Sequence, residues 1–206
     1  MNISLNILLV YFLFLNLNFK PTYLQHNEII IDSNFSIEDI LSNYPVSKDI
    51  KDNLTLITVE YYSFDKNLHR GQVLIHKDLA KDVIEIFELI KQKKFPIEKA
   101  VPINYYNWSD EASMMDNNTS GFNYRKVKGS KKLSSHALGR AIDINPKQNP
   151  HIVNGKFFPP NSSYNPNVEG TITSNSFIVK EFKKRGWSWG GYWKRNKDYQ
   201  HFEKLK

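Results

Sequence analysis

The sequence predicts a small single α+β domain in which helices pack on an antiparallel sheet. Residues 54–64 are rich in β-branched and aromatic side chains, and residues 72–75 form a matching run, as in a β-hairpin. Residues 78–93 and 174–185 carry apolar side chains at helical spacing, which is typical of helices with one buried face. With 40% hydrophobic residues in 206, the chain has enough apolar material for one core.

Residues 1–21 are predicted to be a signal peptide or an N-terminal anchor. The apolar centre, residues 7–15, has the length of a signal-peptide hydrophobic region and is short for a membrane-spanning helix. No lysine or arginine precedes it, and no small-residue cleavage site follows before Lys20. A cleaved signal is favoured, an uncleaved anchor is the second interpretation, and a buried N-terminal helix is the third. The favoured reading predicts a protein that is secreted or held in the cell envelope.

The rest of the chain divides into an extension and one main domain. Residues 22–53 are predicted to be a linker and N-terminal extension of extended or short helical pieces, and residues 54–206 the domain itself. A turn through Gly71 is expected between the first two strands. Asp78 is expected to cap the first long helix.

The middle of the domain is predicted to contain little regular structure. Residues 97–106 are expected to be extended, and residues 107–121 to form a polar loop. Residues 146–170 contain five prolines and many asparagines, and this segment is longer than an ordinary connection. It is predicted either to shape a substrate groove or to be a surface insertion.

His136, Asp143 and His201 are the candidate metal ligands. Two imidazoles and one carboxylate can hold a zinc ion and leave a position open for water, as in catalytic zinc sites. Structural zinc sites usually fill all four positions, mostly with cysteine, and this chain contains no cysteine. The same ligands also accept other divalent metals.

The local pattern brings the first two ligands together at the edge of the sheet. Residues 141–145 alternate, so Asp143 is expected on one face of a strand while its isoleucine neighbours enter the core. Gly139 lies between His136 and Asp143 and lets the backbone turn. The third ligand, His201, is expected on a short strand, and Asp198 reaches the same site only if the chain bends between them.

Two motifs contain these residues. The first runs Ser134-x-His136-x-x-Gly139-x-Ala141-x-Asp143, and the second runs Gly186-Trp187-Ser188-Trp189-Gly190-Gly191-Tyr192-Trp193, followed by Asp198-x-x-His201-Phe202. The first resembles the signature of the zinc peptidase family that contains the D-alanyl-D-alanine carboxypeptidases and dipeptidases. The second resembles its endolysin branch, which cuts L-alanyl-D-glutamate bonds. The resemblance covers roughly residues 122–203.

The resemblance implies a role for each motif residue. His136, Asp143 and His201 would bind Zn²⁺, and Asp198 would be the catalytic base. Arg125 falls where the family carries an arginine that contacts the substrate near the scissile carbonyl. Carboxypeptidase and dipeptidase members use glutamate at the position of Asp198, so the aspartate favours the endopeptidase-like branch. The alternatives are that Asp198 is an ordinary loop carboxylate and that Arg125 belongs to a solvated basic face.

Ser134 and Trp189 are the candidate substrate-binding residues. Trp187, Trp189 and Trp193 either form a platform for a sugar or peptide or serve the core, and the core is the favoured alternative because large aromatic side chains usually do so. The remaining histidines show no partner pattern and are predicted to be structural: His26, His69, His76 and His151.

The net charge of +7 agrees with an anionic partner. No nucleic-acid motif is present, so the predicted partners are peptidoglycan stem peptides, no nucleic acid, and a membrane only through an N-terminal anchor. We expect a monomer. The predicted function is zinc-dependent hydrolysis of stem-peptide amide bonds, with endopeptidase action favoured over D-alanyl-D-alanine carboxypeptidase action. A non-catalytic zinc-containing module that binds the cell wall is the alternative from another class.

Overall fold

The computed structural model describes residues 28–42 and 44–206. The predicted leader, residues 1–21, lies outside them. The described residues form five α-helices: α1 (Ile37–Leu41), α2 (Lys48–Lys51), α3 (Ala80–Gln92), α4 (Asp110–Met115) and α5 (Phe177–Lys184). They also form ten strands: β1 (Ile30–Ile31), β2 (Leu54–Tyr62), β3 (Leu68–His76), β4 (Lys99–Ala100), β5 (Asn118–Thr119), β6 (Ala141–Asp143), β7 (His151–Val153), β8 (Lys156–Phe158), β9 (Ser188–Trp189) and β10 (His201–Glu203). No helix in this part of the chain is long and apolar enough to cross a membrane.

Two three-stranded sheets organise the domain. In the first, with order β1-β3-β2, the long strands β2 and β3 are antiparallel and the short β1 runs parallel to β3. The second, with order β6-β10-β9, is antiparallel throughout. Helix α3 packs on β2, and α5 packs against α3 and β9. The predicted α+β class, with helices and antiparallel sheets in one domain, is confirmed.

One core joins the two sheets. Alternate side chains of β2 and β3 meet the buried faces of α3 and α5, and the strands of the second sheet enter the same cluster through Ile142, Trp189 and Phe202. The ring of Phe202 stacks on Phe182 of α5 with centroids 4.1 Å apart. Burying side chains of this size stabilises a fold by about 1.5–3 kcal/mol each. The back of the second sheet is therefore anchored, which fixes whatever its front face carries.

The turn between β2 and β3 differs from the prediction. It lies at residues 63–67, where the Asp65 carboxylate accepts a hydrogen bond from the Asn67 backbone N–H (2.8 Å), a turn typical of Asp and Asn. Gly71, predicted in the turn, lies within β3. A Cβ there would collide with the carbonyl oxygen of Ala100. The glycine therefore allows β3 to approach the neighbouring backbone closely.

The predicted helix over residues 78–93 is present, but Asp78 does not cap it. Residues 77–79 form a short 3-10 turn, and the His76 ring Nδ1 accepts a hydrogen bond from the Asp78 backbone N–H (3.2 Å). Helix α3 follows at Ala80. The Asp78 carboxylate instead lies 3.5 Å from the guanidinium of Arg140.

Two segments contain more helix than predicted. Residues 97–106 are extended only at β4 and continue as a 3-10 helix, Ile103–Tyr106. Residues 107–121, predicted as a loop, contain α4 and β5. The hydroxyl of Ser109 accepts a hydrogen bond from the Ala112 backbone N–H (3.1 Å) and caps α4. Six residues are too few for a helical period to stand out in the sequence.

The described part of the predicted extension, residues 28–42 and 44–53, packs on the domain. Ile40, Leu41 and Val46 form a second apolar cluster with Leu54 and Leu74 of the first sheet and with Phe122. The predicted helix at 174–185 is observed as α5, which buries Ile178 and Phe182. The proline-rich segment 146–170 contains the β7–β8 hairpin.

A buried histidine ties β1 to β3. The His69 ring places Nδ1 2.9 Å from the Asp32 carboxylate and Nε2 3.2 Å from the Asp65 carboxylate. The Tyr61 hydroxyl also donates to Asp32. Burial lowers the pKa of His69, but the hydrogen bonds to the two carboxylates outweigh it and raise the pKa above its ordinary value of 6.5.

This cluster predicts a pH-dependent stability. Because the folded-state pKa of His69 is raised, its contribution is fully present below about pH 6.5 and is lost as the pH rises through the folded-state value. His69→Gln should therefore reduce the free energy of unfolding by roughly 1 kcal/mol more at about pH 5.5 than at about pH 9. Urea denaturation of both proteins at the two pH values measures this. An equal loss at both would contradict the charged histidine.

Candidate active site

His136, Asp143 and His201 meet on the front of the second sheet. Strands β6 and β10 pair with His201 directly opposite Asp143. One candidate ligand atom from each of the three residues lies within 4.8 Å of the other two. All three side chains are buried. The structure thus brings together the three ligands predicted from the sequence.

Strand alternation explains this placement. Ile142 pairs with Phe202, and both enter the core, so Asp143 and His201 are turned to the opposite face. Asp143 is held from its other side as well, since it exchanges two backbone hydrogen bonds with Ser120 (2.9 and 3.0 Å). The backbone of the ligand strand is therefore fixed on both sides.

His136 comes from a 3-10 helix, Ser135–Leu138, with defined ends. The hydroxyl of Ser134 accepts a hydrogen bond from the His136 backbone N–H (3.3 Å) and caps the start. Gly139 ends it in the left-handed conformation (φ 65°), and a Cβ there would stand 2.7 Å from the His76 nitrogen. The predicted turn at Gly139 is present, and the placement of Ser134 is that of a helix cap.

Hydrogen bonding fixes the tautomer of His136. Its Nδ1 lies 2.6 Å from the Gly121 carbonyl oxygen, which can only accept, so Nδ1 carries the proton. In the neutral ring, the form that binds a metal, Nε2 presents a lone pair, 3.2 Å from the Asp143 carboxylate and 3.2 Å from Nδ1 of His201. A lone pair facing a carboxylate calls for a cation between them, and a carbonyl behind a ligand histidine is a typical partner at metal sites.

The charges of the cluster favour a bound cation. Burial opposes a charge on His201, but hydrogen bonds to Asp143 (2.9 Å) and Glu203 (3.4 Å) raise its pKa to about 10. Burial likewise raises the pKa of Asp143, but the two histidines outweigh it and hold that pKa well below its usual range. Without a metal the site keeps a proton, which a divalent ion displaces on binding. The donor set therefore fits zinc or another divalent metal.

The predicted bend between Asp198 and His201 is present. Residues 199–200 form a bend, and the His201 backbone N–H donates to the Asp198 carbonyl oxygen (3.4 Å). The Asp198 side chain is buried, and its Oδ1 has no hydrogen-bond partner among the described residues. Burial, and then the charge of Asp143, raise the pKa of Asp198 to about 7. Such a carboxyl is suited to exchanging protons near neutral pH.

Arg125 lies close enough to Asp198 for its charge to act on that carboxylate. Its guanidinium is 3.1 Å from Asp110 at the start of α4, about a third of the side chain is exposed, and the buried Nε has no hydrogen-bond partner in the described chain. The positive charge of Arg125 acts to lower the pKa of Asp198. The Arg125 carbonyl also accepts from the Ser134 backbone N–H (3.0 Å), which fixes it next to the His136 helix.

The tryptophans divide between the core and the site. Trp189 is buried, donates its indole N–H to the Tyr199 carbonyl (2.8 Å) and packs on Phe202. It therefore lies in the core, which is the favoured of the two predicted alternatives. Trp187 is buried as well. Trp193 is 37% exposed, with its ring centroid 5.5 Å from that of His201. Trp193 is therefore the tryptophan that a substrate can reach beside the ligands.

His151 is the site residue that sequence reasoning missed. It lies on β7, and its Nδ1 is 3.7 Å from the Asp198 carboxylate. The sequence predicted it to be structural because no motif surrounds it. The proline-rich segment 146–170 carries His151 to Asp198. Its predicted roles, shaping a substrate groove or forming a surface insertion, stay predictions.

Residues 128–204 match the family described as D-alanyl-D-alanine carboxypeptidase. The matched range contains the three candidate ligands and Asp198. This part of the chain is therefore similar to that peptidase family. Arg125 precedes the matched range, and the endolysin-like branch stays a prediction. No curated protein and no solved structure matches the chain.

Proposed function

We propose that the protein is a zinc-dependent peptidase that hydrolyses amide bonds in peptidoglycan stem peptides, acting as an endopeptidase. One observation carries the proposal: two buried histidines and a buried aspartate converge within coordination distance beside a second carboxylate, Asp198. The family match supports a peptidase that acts on substrates of the peptidoglycan type. The chemistry follows from the residues that surround this point.

His136, Asp143 and His201 would hold the metal. When bound, zinc supplies a water molecule whose pKa is lowered to about 7 and polarises the scissile carbonyl. Asp198 accepts the proton from the attacking water and passes it to the departing amine, because its carboxyl gains and loses a proton near neutral pH. Its partnerless Oδ1 is the atom left for that proton.

Arg125 would stabilise the substrate as it reacts. Negative charge develops on the carbonyl oxygen when water attacks, and a fixed guanidinium is a strong donor to such an oxyanion. The ion pair with Asp110 orients the guanidinium, and its partnerless Nε shows that its hydrogen-bonding capacity is not spent within the described protein.

Arg125→Lys should reduce turnover about a hundredfold while metal content is unchanged, because lysine keeps the charge but not the planar set of donors. Initial rates on purified muropeptides, with zinc measured on the same samples, test this. Lys128→Gln, on the exposed loop that follows, is the matched control and should leave the rate within about twofold of the unsubstituted protein. An unchanged rate in Arg125→Lys would support the alternative that Arg125 belongs to a solvated basic face.

The sequence favours endopeptidase action over carboxypeptidase action through the aspartate at position 198 and the tryptophan-glycine segment. A carboxypeptidase would need a fixed cation for the free carboxylate of its substrate. Arg125, Lys131 and Arg140 could each supply that cation, so charge does not separate the two modes.

Product analysis tests the proposal. Mass spectrometry of peptidoglycan fragments incubated with the protein should show cleavage within the stem peptide. Release of D-alanine alone would establish the carboxypeptidase alternative. Zinc-loaded protein that binds sacculi and releases nothing would instead support the non-catalytic wall-binding module. We further propose that the protein acts as a monomer, secreted or in the bacterial cell envelope, where its substrate is found.

A further inference from the structure

His151 has a defined relation to Asp198 although 47 positions separate them. Its Nδ1 lies 3.7 Å from Oδ2 of Asp198, and within the described residues no other basic side chain lies within ion-pair distance of that carboxylate. The His151 side chain is about a third exposed, whereas that of Asp198 is nearly buried. The imidazole is therefore the more accessible of the two groups.

Backbone pairing holds the two residues side by side. His151 and Asp198 face each other in an antiparallel bridge. On either side of it, the Ile152 backbone N–H donates to the Lys197 carbonyl (2.7 Å), and the Tyr199 backbone N–H donates to the Pro150 carbonyl (3.3 Å). The closeness of the two side chains is thus built into the fold and does not depend on a flexible rotamer alone.

The two oxygens of Asp198 have different surroundings. Oδ2 faces the imidazole, while Oδ1 is buried and makes no hydrogen bond of normal length in the described chain; the Gln200 side chain is near enough to lower the pKa of the carboxyl. A base works best when one oxygen is tethered and the other is left for the proton it receives. His151 also lies within the electrostatic influence of Asp143, His201 and Arg125, so it belongs to the same site.

We propose that His151 is a positioning residue for Asp198: its Nδ1–H donates to Oδ2 and leaves Oδ1 for the proton of the attacking water. This inference rests on the proposed peptidase function and goes beyond the ligand set and base. The contact is longer than a hydrogen bond, and it must shorten when metal and substrate are present, as catalytic contacts often do.

Burial lowers the pKa of His151. The ring is therefore neutral at neutral pH and carries one proton, which can lie on either nitrogen. The proposal places it on Nδ1. Asparagine can supply a donor in nearly the same place as Nδ1, whereas phenylalanine fills the space without one.

A double-mutant cycle tests the role through turnover. His151→Phe should lower kcat roughly tenfold with little change in KM, and His151→Asn should recover most of the loss. In an Asp198→Asn background, His151→Phe should have no further effect, because the group it positions is already gone. Zinc content should be the same in every variant, and His76→Asn is the matched control outside the site. Independent, multiplicative losses from the two substitutions would overturn the proposal.

A second measurement does not require turnover. In the zinc-loaded full-length protein labelled with ¹⁵N-histidine, NMR should show His151 as the Nδ1–H tautomer, with His151→Asn providing the assignment. Asp198→Ala should shift it toward Nε2–H. The Asn196 backbone is another hydrogen-bonding group near the ring. An Nε2–H tautomer that is the same with and without Asp198→Ala would refute the contact between His151 and Asp198. A protein that cleaves nothing but shows the Nδ1–H tautomer would keep the contact and lose the proposed function.

Discussion

Asp198→Asn is expected to lower turnover about a thousandfold while the metal stays bound. The substitution keeps the size of the side chain and removes only its ability to accept a proton. Asp198 is outside the set of three ligand residues whose atoms converge, so zinc content should stay near one equivalent. Steady-state rates on purified muropeptides, with metal analysis of the same samples, measure both quantities.

The control for this substitution is another aspartate changed in the same way. Asp49 lies in α2 with an exposed side chain, so Asp49→Asn should leave the rate within about twofold. If Asp198→Asn retained full turnover, Asp198 would be an ordinary buried carboxylate. If it lost zinc as well, the residue would be acting on the metal, and the assignment of base and ligands would have to be revised.

His201→Gln is expected to lower zinc content far below one equivalent and to abolish cleavage. It removes one of three candidate ligands and also the ring that lies between Asp143 and Glu203. Leaving the buried Asp143 carboxylate without this partner typically costs about 3–5 kcal/mol, so the thermal unfolding midpoint should fall too. Metal analysis and calorimetry on the purified variant test both effects.

A histidine outside the cluster provides the comparison. His76 caps the turn before α3, so His76→Gln should keep full zinc content and most of the activity. Stoichiometric, tightly held zinc in His201→Gln would mean that the metal binds elsewhere. Loss of stability without loss of zinc would show that the histidine serves the fold alone.

The convergence of His136, Asp143 and His201 could be predicted because local rules act on these residues directly. Alternation along β6 separates Asp143 from the isoleucines that enter the core, and the same rule separates His201 from Phe202. The turn at Gly139 could be predicted because glycine adopts the left-handed conformation observed there without strain. The spacing within the two motifs supplied the remaining evidence for the prediction, because each of the three residues lies within a few positions of another motif residue.

Other features depend on contacts between distant segments. Gly71 looked like a turn residue, but it is required where the Ala100 backbone crosses β3. Asp78 looked like a helix cap, but its carboxylate faces the guanidinium of Arg140, 62 positions away. Neither neighbour is visible in the local sequence pattern.

The same reason explains why His151 was missed. Its relation to Asp198 comes from backbone pairing of two segments that are far apart in sequence. No residue type or spacing near His151 signals a functional role. Trp189 shows the reverse case: it lies in a motif, yet its ring packs on Phe202 within the core.

The most direct test of the central claim is removal and return of the metal. The purified full-length protein should contain about one zinc per chain, lose both zinc and stem-peptide cleavage on treatment with a chelator, and regain cleavage when one equivalent of zinc is added. His136→Ala, treated in parallel, should not regain it. Cleavage that continues at full rate after zinc has been removed would contradict a metallopeptidase centred on His136, Asp143 and His201.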